Sequence, residues 1–461
     1  MGSGYFYSSS STEIVLFTVL VLFLFVAILS QETLAISTAS LNYSQYINNR
    51  QEISSLRFER IKRHLDKINK IPVITFQSPD GDMIDCVHKR KQPALDHPLL
   101  KNHKIQKMPT EIPKAMKMAK RDAAKDKNVN FSNNSTSVDG SKGVWQMWHQ
   151  EGRRCPRGTV PIRRSTVGDV MRAKSLYHFG KKQSKYGVAA ATSGSGGRRA
   201  DAPDVVSGNG HEHAIAYTTG SEEVFGAKAT INVWDPSIEV VNEFSLSQIW
   251  VLSGSFDGSD LNSIEAGWQV SPELYGDSRP RLFTYWTSDA YQATGCYNLL
   301  CSGFIQTNSR IAIGAAISPV SSVGGNQYDV TILIWKDPKL GNWWMGYGED
   351  TLVGYWPTEL FTHLTDRATM VEWGGEIVNS QPNGKHTSTQ MGSGHFAEDG
   401  FGKASYFRNL EVVDSDNNLI SAQDISTLAE NTNCYNIKSL YNSEWGTHFY
   451  YGGPGKSPQC F

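Results

Sequence analysis

From about His211 to the C-terminus the chain keeps one texture, in which short apolar runs alternate with polar residues between Gly, Asn, Asp and Pro turns. Ala227–Trp234, Phe244–Leu252, Leu282–Trp286, Tyr328–Trp335 and Ser405–Val413 are such runs. Period-two alternation over so few residues buries one face of a strand and wets the other, and the turns leave no room for crossover helices. No fixed-period repeat and no βαβ alternation is present, so a parallel doubly wound sheet is excluded. The pattern predicts an all-β domain, a sandwich or barrel of about 250 residues. Charged residues make up 19 % and aromatics 11 %, with 41 glycines, which fits a turn-rich β protein and not a helical or disordered one.

Two of the alternating segments carry carboxylates. In Ile264-Glu265-Ala266-Gly267-Trp268-Gln269-Val270, alternation puts Glu265, Gly267 and Gln269 on one face and the apolar residues on the other. In Val371-Glu372-Trp373-Gly374-Gly375-Glu376-Ile377 it groups Glu372, Gly374 and Glu376 against Val371, Trp373 and Ile377. Glycine beside a carboxylate predicts open space above the sheet, where Gly267 and Gly374 would let a substrate backbone lie. Gln269, on the face of Glu265, is expected to donate a hydrogen bond to a substrate carbonyl. A strand glutamate on a polar face is by pattern alone a solvated residue. Glu372 and Glu376 lie about 13 Å apart along a strand, so both cannot sit equally close to Glu265; Glu372 is read as the solvated one.

The N-terminus reads as an address. Ile14 to Leu29 is apolar apart from Thr18, shorter than the roughly 20 residues of a spanning helix, and followed by Ser30-Gln31-Glu32. Thr33 and Ala35 suit a cleavage site, although no Lys or Arg precedes the run. The expectation is a signal peptide over 1–35, with membrane attachment only if it is retained. Residues 36–200 then form a smaller, mixed segment. It holds an amphipathic helix around Arg57–Leu65, a poorly ordered stretch over 113–140, and a cuttable linker at Ser193–Ala202 with Arg198-Arg199 exposed. The β domain is assigned to 206–461.

Secretion makes disulfides the expected use of the six cysteines. Spacing favours Cys296 with Cys301 and Cys434 with Cys460, which leaves Cys86 for Cys155. Asn42, Asn130, Asn133 and Asn134 are glycosylation sequons outside the β-rich part. The route leads outside the cell, to the apoplast, or to the vacuole. A net charge of −1 gives no bulk electrostatic reason to expect nucleic acid or anionic lipid as a partner.

Other motifs read more plainly. His211-Glu212-His213 tempts a metal site, but strand alternation separates Glu212 from the histidines and the spacing is not that of a helical zinc motif. It is taken as the opening strand of the sandwich, and no metal or cofactor is expected. Ser393, in Gly392-Ser393-Gly394-His395, lacks the strand–turn–helix of a nucleophile elbow and reads as a turn. Trp234, Trp250, Trp268, Trp286, Trp335, Trp343, Trp344, Trp356 and Trp373 are mostly core by parity, with a few free to line a groove.

Several blocks together resemble the plant neprosin family of secreted glutamic peptidases and its activation peptide. They are Asp82–Val87, Gln92–Pro98, Gly158–Arg164, His211–Ala214, Ile264–Pro272, Thr294–Asn298, Trp373–Glu376 and Gln390–His395. The resemblance runs from about Phe76 to the C-terminus. It implies a zymogen whose catalytic domain is a two-sheet antiparallel β-sandwich, with an active-site pair falling by motif on Glu265 and Glu376. It also fits Cys296–Cys301 and Cys434–Cys460. It implies a polypeptide substrate cleaved next to proline and the chain's own propeptide as inhibitor; the protein is expected to be a monomer. Two carboxyls sharing one proton suit acid hydrolysis of a peptide bond. They would equally suit a glycoside hydrolase, and a lectin-like binding module is the non-catalytic alternative.

Overall fold

The computed structural model describes residues 55–114, 142–182 except 144, and 210–461 except 220–222, 256–258 and 382–383. The expected signal peptide, the four sequons, most of the 113–140 stretch and the 193–202 linker lie outside the described residues. Contacts divide the chain into Met1–His64 and Leu65–Phe461. A helix, α1, runs over residues 55–68. No helix among the described residues is long and apolar enough to cross a membrane.

Within Leu65–Phe461, a small antiparallel sheet comes first: β1 (Pro72–Gln77), β2 (Met83–His88) and β3 (Thr159–Arg163), in that order. Cys86 bonds to Cys155. After β3 comes α2 (Val167–Arg172), closed at its start by a capping box between Thr166 and Asp169. After α2, the strands of five or more residues among the described residues are β4 (His211–Thr218), β5 (Gly226–Asn232), β6 (Ser245–Ser253), β7 (Asn262–Val270), β8 (Arg281–Thr287), β9 (Tyr328–Lys336), β10 (Trp343–Tyr347), β11 (Thr351–Trp356), β12 (Met370–Val378), β13 (Ser405–Val413), β14 (Ile425–Ala429), β15 (Asn436–Asn442) and β16 (Gly446–Gly452). One sheet has the order β8-β7-β6-β12-β4-β14, every pair antiparallel. The other contains β11-β10-β9-β5-β13-β16-β15 along its main path. This is the two-sheet antiparallel sandwich.

Alternation places the core. Ile264, Ala266, Trp268 and Val270 of β7, Ile249 and Val251 of β6, and Val371, Trp373 and Ile377 of β12 meet Ile231, Val330, Ile332, Ile334 and Phe407 of the second sheet. All nine tryptophans named above are buried, six of them almost completely. Two disulfides tie loops to this body, Cys296–Cys301 and Cys434–Cys460. Ser393 sits in the turn that follows Met391.

The N-terminal part is built into the sandwich. Ala94, with Leu95, Ile105 and Ile112, packs on Leu333, Trp335, Trp344 and Tyr355, the outer face of the second sheet. Ile84 and Trp148 pack on Ala312 and Ala315. Arg281, at the start of β8 and almost wholly buried, bonds to Asp82 in the β1–β2 turn at 2.5 Å and to Asp277 at 2.6 Å.

Candidate active site

The first sheet turns its polar face away from the core, and the register fixes what meets there. Glu265 of β7 lies opposite Trp250 of β6, which lies opposite Glu372 of β12. Two rows along, Gln269 faces Leu246 and Leu246 faces Glu376. In the row between, Gln248 stands between Gly267 and Gly374. The central position of the groove floor is therefore an amide, with carboxylates at the surrounding positions.

Glu265 is fully buried and its oxygens are saturated. Oε1 accepts from Ser263 Oγ at 3.0 Å and Tyr291 Oη at 2.8 Å. Oε2 accepts from Gln248 Nε2 at 3.2 Å and from Lys182 Nζ at 2.5 Å. Lys182 comes from the segment before the sandwich, and its side chain is 13 % exposed. Burial alone would drive this ammonium toward neutrality, but the charges of Glu265 and Glu376 together raise its pKa. One cation therefore sits in the field of both glutamates.

Glu376 is buried too, and Oε1 lies 2.5 Å from His211 Nδ1 and 3.9 Å from His213 Nε2. Burial would raise its pKa, yet Lys182, His211 and His213 outweigh it and hold the carboxyl at about 2. His213 is held from its other side by Glu430, whose Oε1 is 2.8 Å from Nδ1. Burial opposes its charge, but Glu430, Glu376 and Glu372 lift it to about 9.

Several sequence expectations change here. Glu372 is not solvated; it is 5 % exposed and shares its row with Glu265. The glycines do not leave open space above the sheet. A Cβ on Gly267 would lie 2.0 Å from the Ser247 carbonyl oxygen, and one on Gly374 would lie 2.3 Å from that of Ala214. Both residues are small because a neighbouring strand passes too close for a side chain. Gln269 is buried and donates to Tyr275 Oη at 2.8 Å, whereas the amide on Glu265 belongs to Gln248. Sequence reasoning missed Gln248, Ser263, Tyr291, Lys182 and Glu430. Ser263 lies two residues before Glu265 and Gln248 two before Trp250, so strand parity could have flagged both; no local signal marks Tyr291, Lys182 or Glu430.

The His211-Glu212-His213 strand does split by parity. Both histidines face Glu376, and Glu212 turns the other way to accept from His386 at 2.9 Å. Among the described residues the one grouping of ligand atoms close enough for a metal is His386, Cys434 and Cys460, and those two sulfurs are bonded to each other.

Comparison with known proteins adds two findings. The protein-family model for the neprosin activation peptide matches residues 75–217, and the Neprosin model matches residues 241–454. Among solved structures, scytalido-glutamic peptidase with a peptide-based transition-state analogue is similar over 53 % of this chain and 98 % of its own, at 12 % identity and TM-score 0.29. SCP-B, a member of the eqolisin family of peptidases, is similar over 53 % and 97 %, at 12 % identity and TM-score 0.28.

Proposed function

The chain belongs to the neprosin family of glutamic peptidases and carries that family's activation peptide, and from this premise we propose that it is an acid-active endopeptidase working through Glu265 and Glu376. The observation that carries the proposal is Lys182. It bonds to Glu265 and stands in the field of Glu376, so one side chain of the activation segment occupies the place where the two carboxyls act together.

In the precursor Glu376 is held ionised and the pair is covered. Cutting between Lys182 and His211, with Ser193–Ala202 the candidate stretch, and departure of the segment would leave two carboxyls without their shared cation. Like charges at close quarters then retain one proton between them in acid. The ionised carboxylate removes a proton from water, and the protonated one donates to the carbonyl oxygen as charge develops there. Gln248 is placed to orient either carboxyl. Its Nε2 already donates to Glu265, and its Oε1 is buried without a partner among the described residues.

The family resemblance supports cleavage next to proline, and Trp250, on the groove face between Glu265 and Glu372, supplies a flat apolar surface for such a ring. The N-terminal apolar run supports entry into the secretory route, with glycosylation at Asn42, Asn130, Asn133 and Asn134 and action outside the cell or in the vacuole as a monomer.

The test is hydrolysis of a proline-containing peptide at acid pH by the activated protein, beside Glu265→Gln and Glu376→Gln. Each variant is expected to lose about 100- to 10,000-fold in kcat while keeping the fold. Undiminished cleavage by Glu376→Gln would move the site, with Glu372 the first replacement.

A further inference from the structure

His211 and His213 lie in β4, a strand that the activation-peptide model still matches, yet β4 pairs with β12 inside the catalytic sheet. The histidines therefore stay when the activation segment leaves. We propose that His213, locked by Glu430, acts with His211 as a positioning pair that keeps Glu376 the ionised member of the catalytic couple, which makes Glu376 the base toward water and Glu265 the carrier of the proton. This deepens the functional reading above and rests on it.

Geometry carries the assignment. His213 stands directly across the β4–β12 ladder from Glu376. Its backbone N–H and its Nδ1 both engage Glu430, one on each carboxylate oxygen, so the ring is fixed at two points and Nε2 is aimed at Glu376. Glu430 is itself fixed in place, since it follows β14, whose Ala429 pairs with Ala214. His211 contacts the same Glu376 oxygen. Phe244 and Trp250 meet the two imidazoles edge-on, at 5.8 and 6.4 Å between ring centres.

The charged groups around Glu376 are unequal on its two sides. His211 and His213 come from β4, Glu372 from its own strand, Glu430 from the end of β14, and Lys182, Glu265 and Tyr291 from across the groove. Once Lys182 is gone, the cations left beside Glu376 among the described residues are the two histidines. Glu265 keeps hydrogen bonds from Gln248, Ser263 and Tyr291, all of them neutral. A carboxyl beside imidazolium ionises more readily than one beside neutral donors, so the shared proton settles on Glu265. With a pKa of about 9, His213 is charged throughout the acid range in which the pair works.

The proton accounting closes. Glu376 takes a proton as the water oxygen bonds to the carbonyl carbon, and Glu265 gives its proton to the carbonyl oxygen. When the C–N bond breaks, Glu376 passes the proton it took to the leaving nitrogen. The carbonyl reforms by returning the other proton to Glu265, which restores both groups.

The experiment is the pH profile of kcat/KM of the activated enzyme on a proline-containing peptide, for wild type, Glu430→Gln, His213→Gln and His213→Lys. Removing the cation raises the pKa of the base, so His213→Gln should move the acid limb upward by about one unit. Glu430→Gln, which breaks the two-point hold that aims the ring, should move it the same way. Below it kcat should fall about tenfold with KM little changed. His213→Lys restores the charge and should return the limb toward wild type. A limb that stays in place in Glu430→Gln, which keeps the side-chain volume and breaks the two-point hold on the ring, overturns the proposal even if the His213 variants fail to fold. Wild type inert, or Glu376→Gln fully active, would instead sink the underlying peptidase reading.

Discussion

Lys182 ties the activation segment to the ionisation of Glu376. A carboxyl depressed in the folded protein stabilises it above the unfolded value and loses that contribution as pH falls toward the folded one. For Glu376 that window runs from 4.5 down to about 2, and the contribution is on the order of 3 kcal/mol. Mild acid therefore leaves Glu376 ionised in the precursor, and Lys182 in its seat. Replacing the ammonium by a neutral amide lets Glu376 regain a proton at higher pH. Lys182→Gln should thus shift the onset of self-cleavage upward by about one to three pH units, followed as conversion of the full chain on gels across a pH series. An unchanged onset would mean that the lysine fills space without setting the charge. His213 has the opposite sign: its stabilising contribution is present below 6.5 and is lost as pH rises through about 9. Wild-type melting temperature should fall over that interval, and His213→Gln should flatten the fall.

At the level of elements, the β1–β2 turn is tied to β8 by a buried ionic knot: Asp82 on Arg281, Asp277 on the same guanidinium, and Asp80 at 3.8 Å. In this knot the N-terminal segment supplies acids, Asp80 and Asp82, and the sandwich supplies the guanidinium. Removing one charge from a buried pair costs about 3–5 kcal/mol, because the partner stays buried. Asp82→Asn should lower the melting temperature of the precursor while leaving that of the activated enzyme unchanged; equal loss in both would place the knot's effect inside the catalytic fold. The strands themselves were readable from sequence. Ser405–Val413 matches its observed span, and the two glutamate strands extend the expected ones by a residue or two, because alternation is a local property. What depends on register was not readable. Strand parity put Gln269 on the face of Glu265, but only the pairing of β6 with β7 decides that the amide reaching Glu265 is Gln248. The glycines misled for the same reason, since the backbone they make room for belongs to another strand. Lys182 meets Glu265 across 83 residues of sequence, with nothing nearby in the chain to announce it.

Across the whole molecule, the activation segment grips the sandwich on both faces. Lys182 enters the groove, while the stretch from Ala94 to Ile112 covers the outer face of the second sheet. The second grip is polar as well as apolar. Asp337 accepts from the Gln106 side chain at 2.6 Å and the Thr110 amide at 2.7 Å, as well as from the Thr110 hydroxyl. Burial opposes ionisation of Asp337, but these donors hold its carboxyl below the usual range. Its contribution is present above 3.8 and fades as pH falls through the folded value, so acid weakens the outer-face grip. Beneath that grip Trp335, Trp344 and Tyr355 are fully buried. Departure of the segment should bring part of this aromatic surface to water, since Ala94, Leu95, Ile105 and Ile112 of the segment pack on it. Activation at acid pH should therefore shift tryptophan emission to the red and raise quenching by acrylamide, in step with loss of the N-terminal fragment on size exclusion. Asp337→Asn should weaken the pH dependence of that step. Cleavage with an unshifted spectrum and a co-eluting fragment would instead mean that the cut frees the groove while the outer-face segment stays seated as part of the working enzyme.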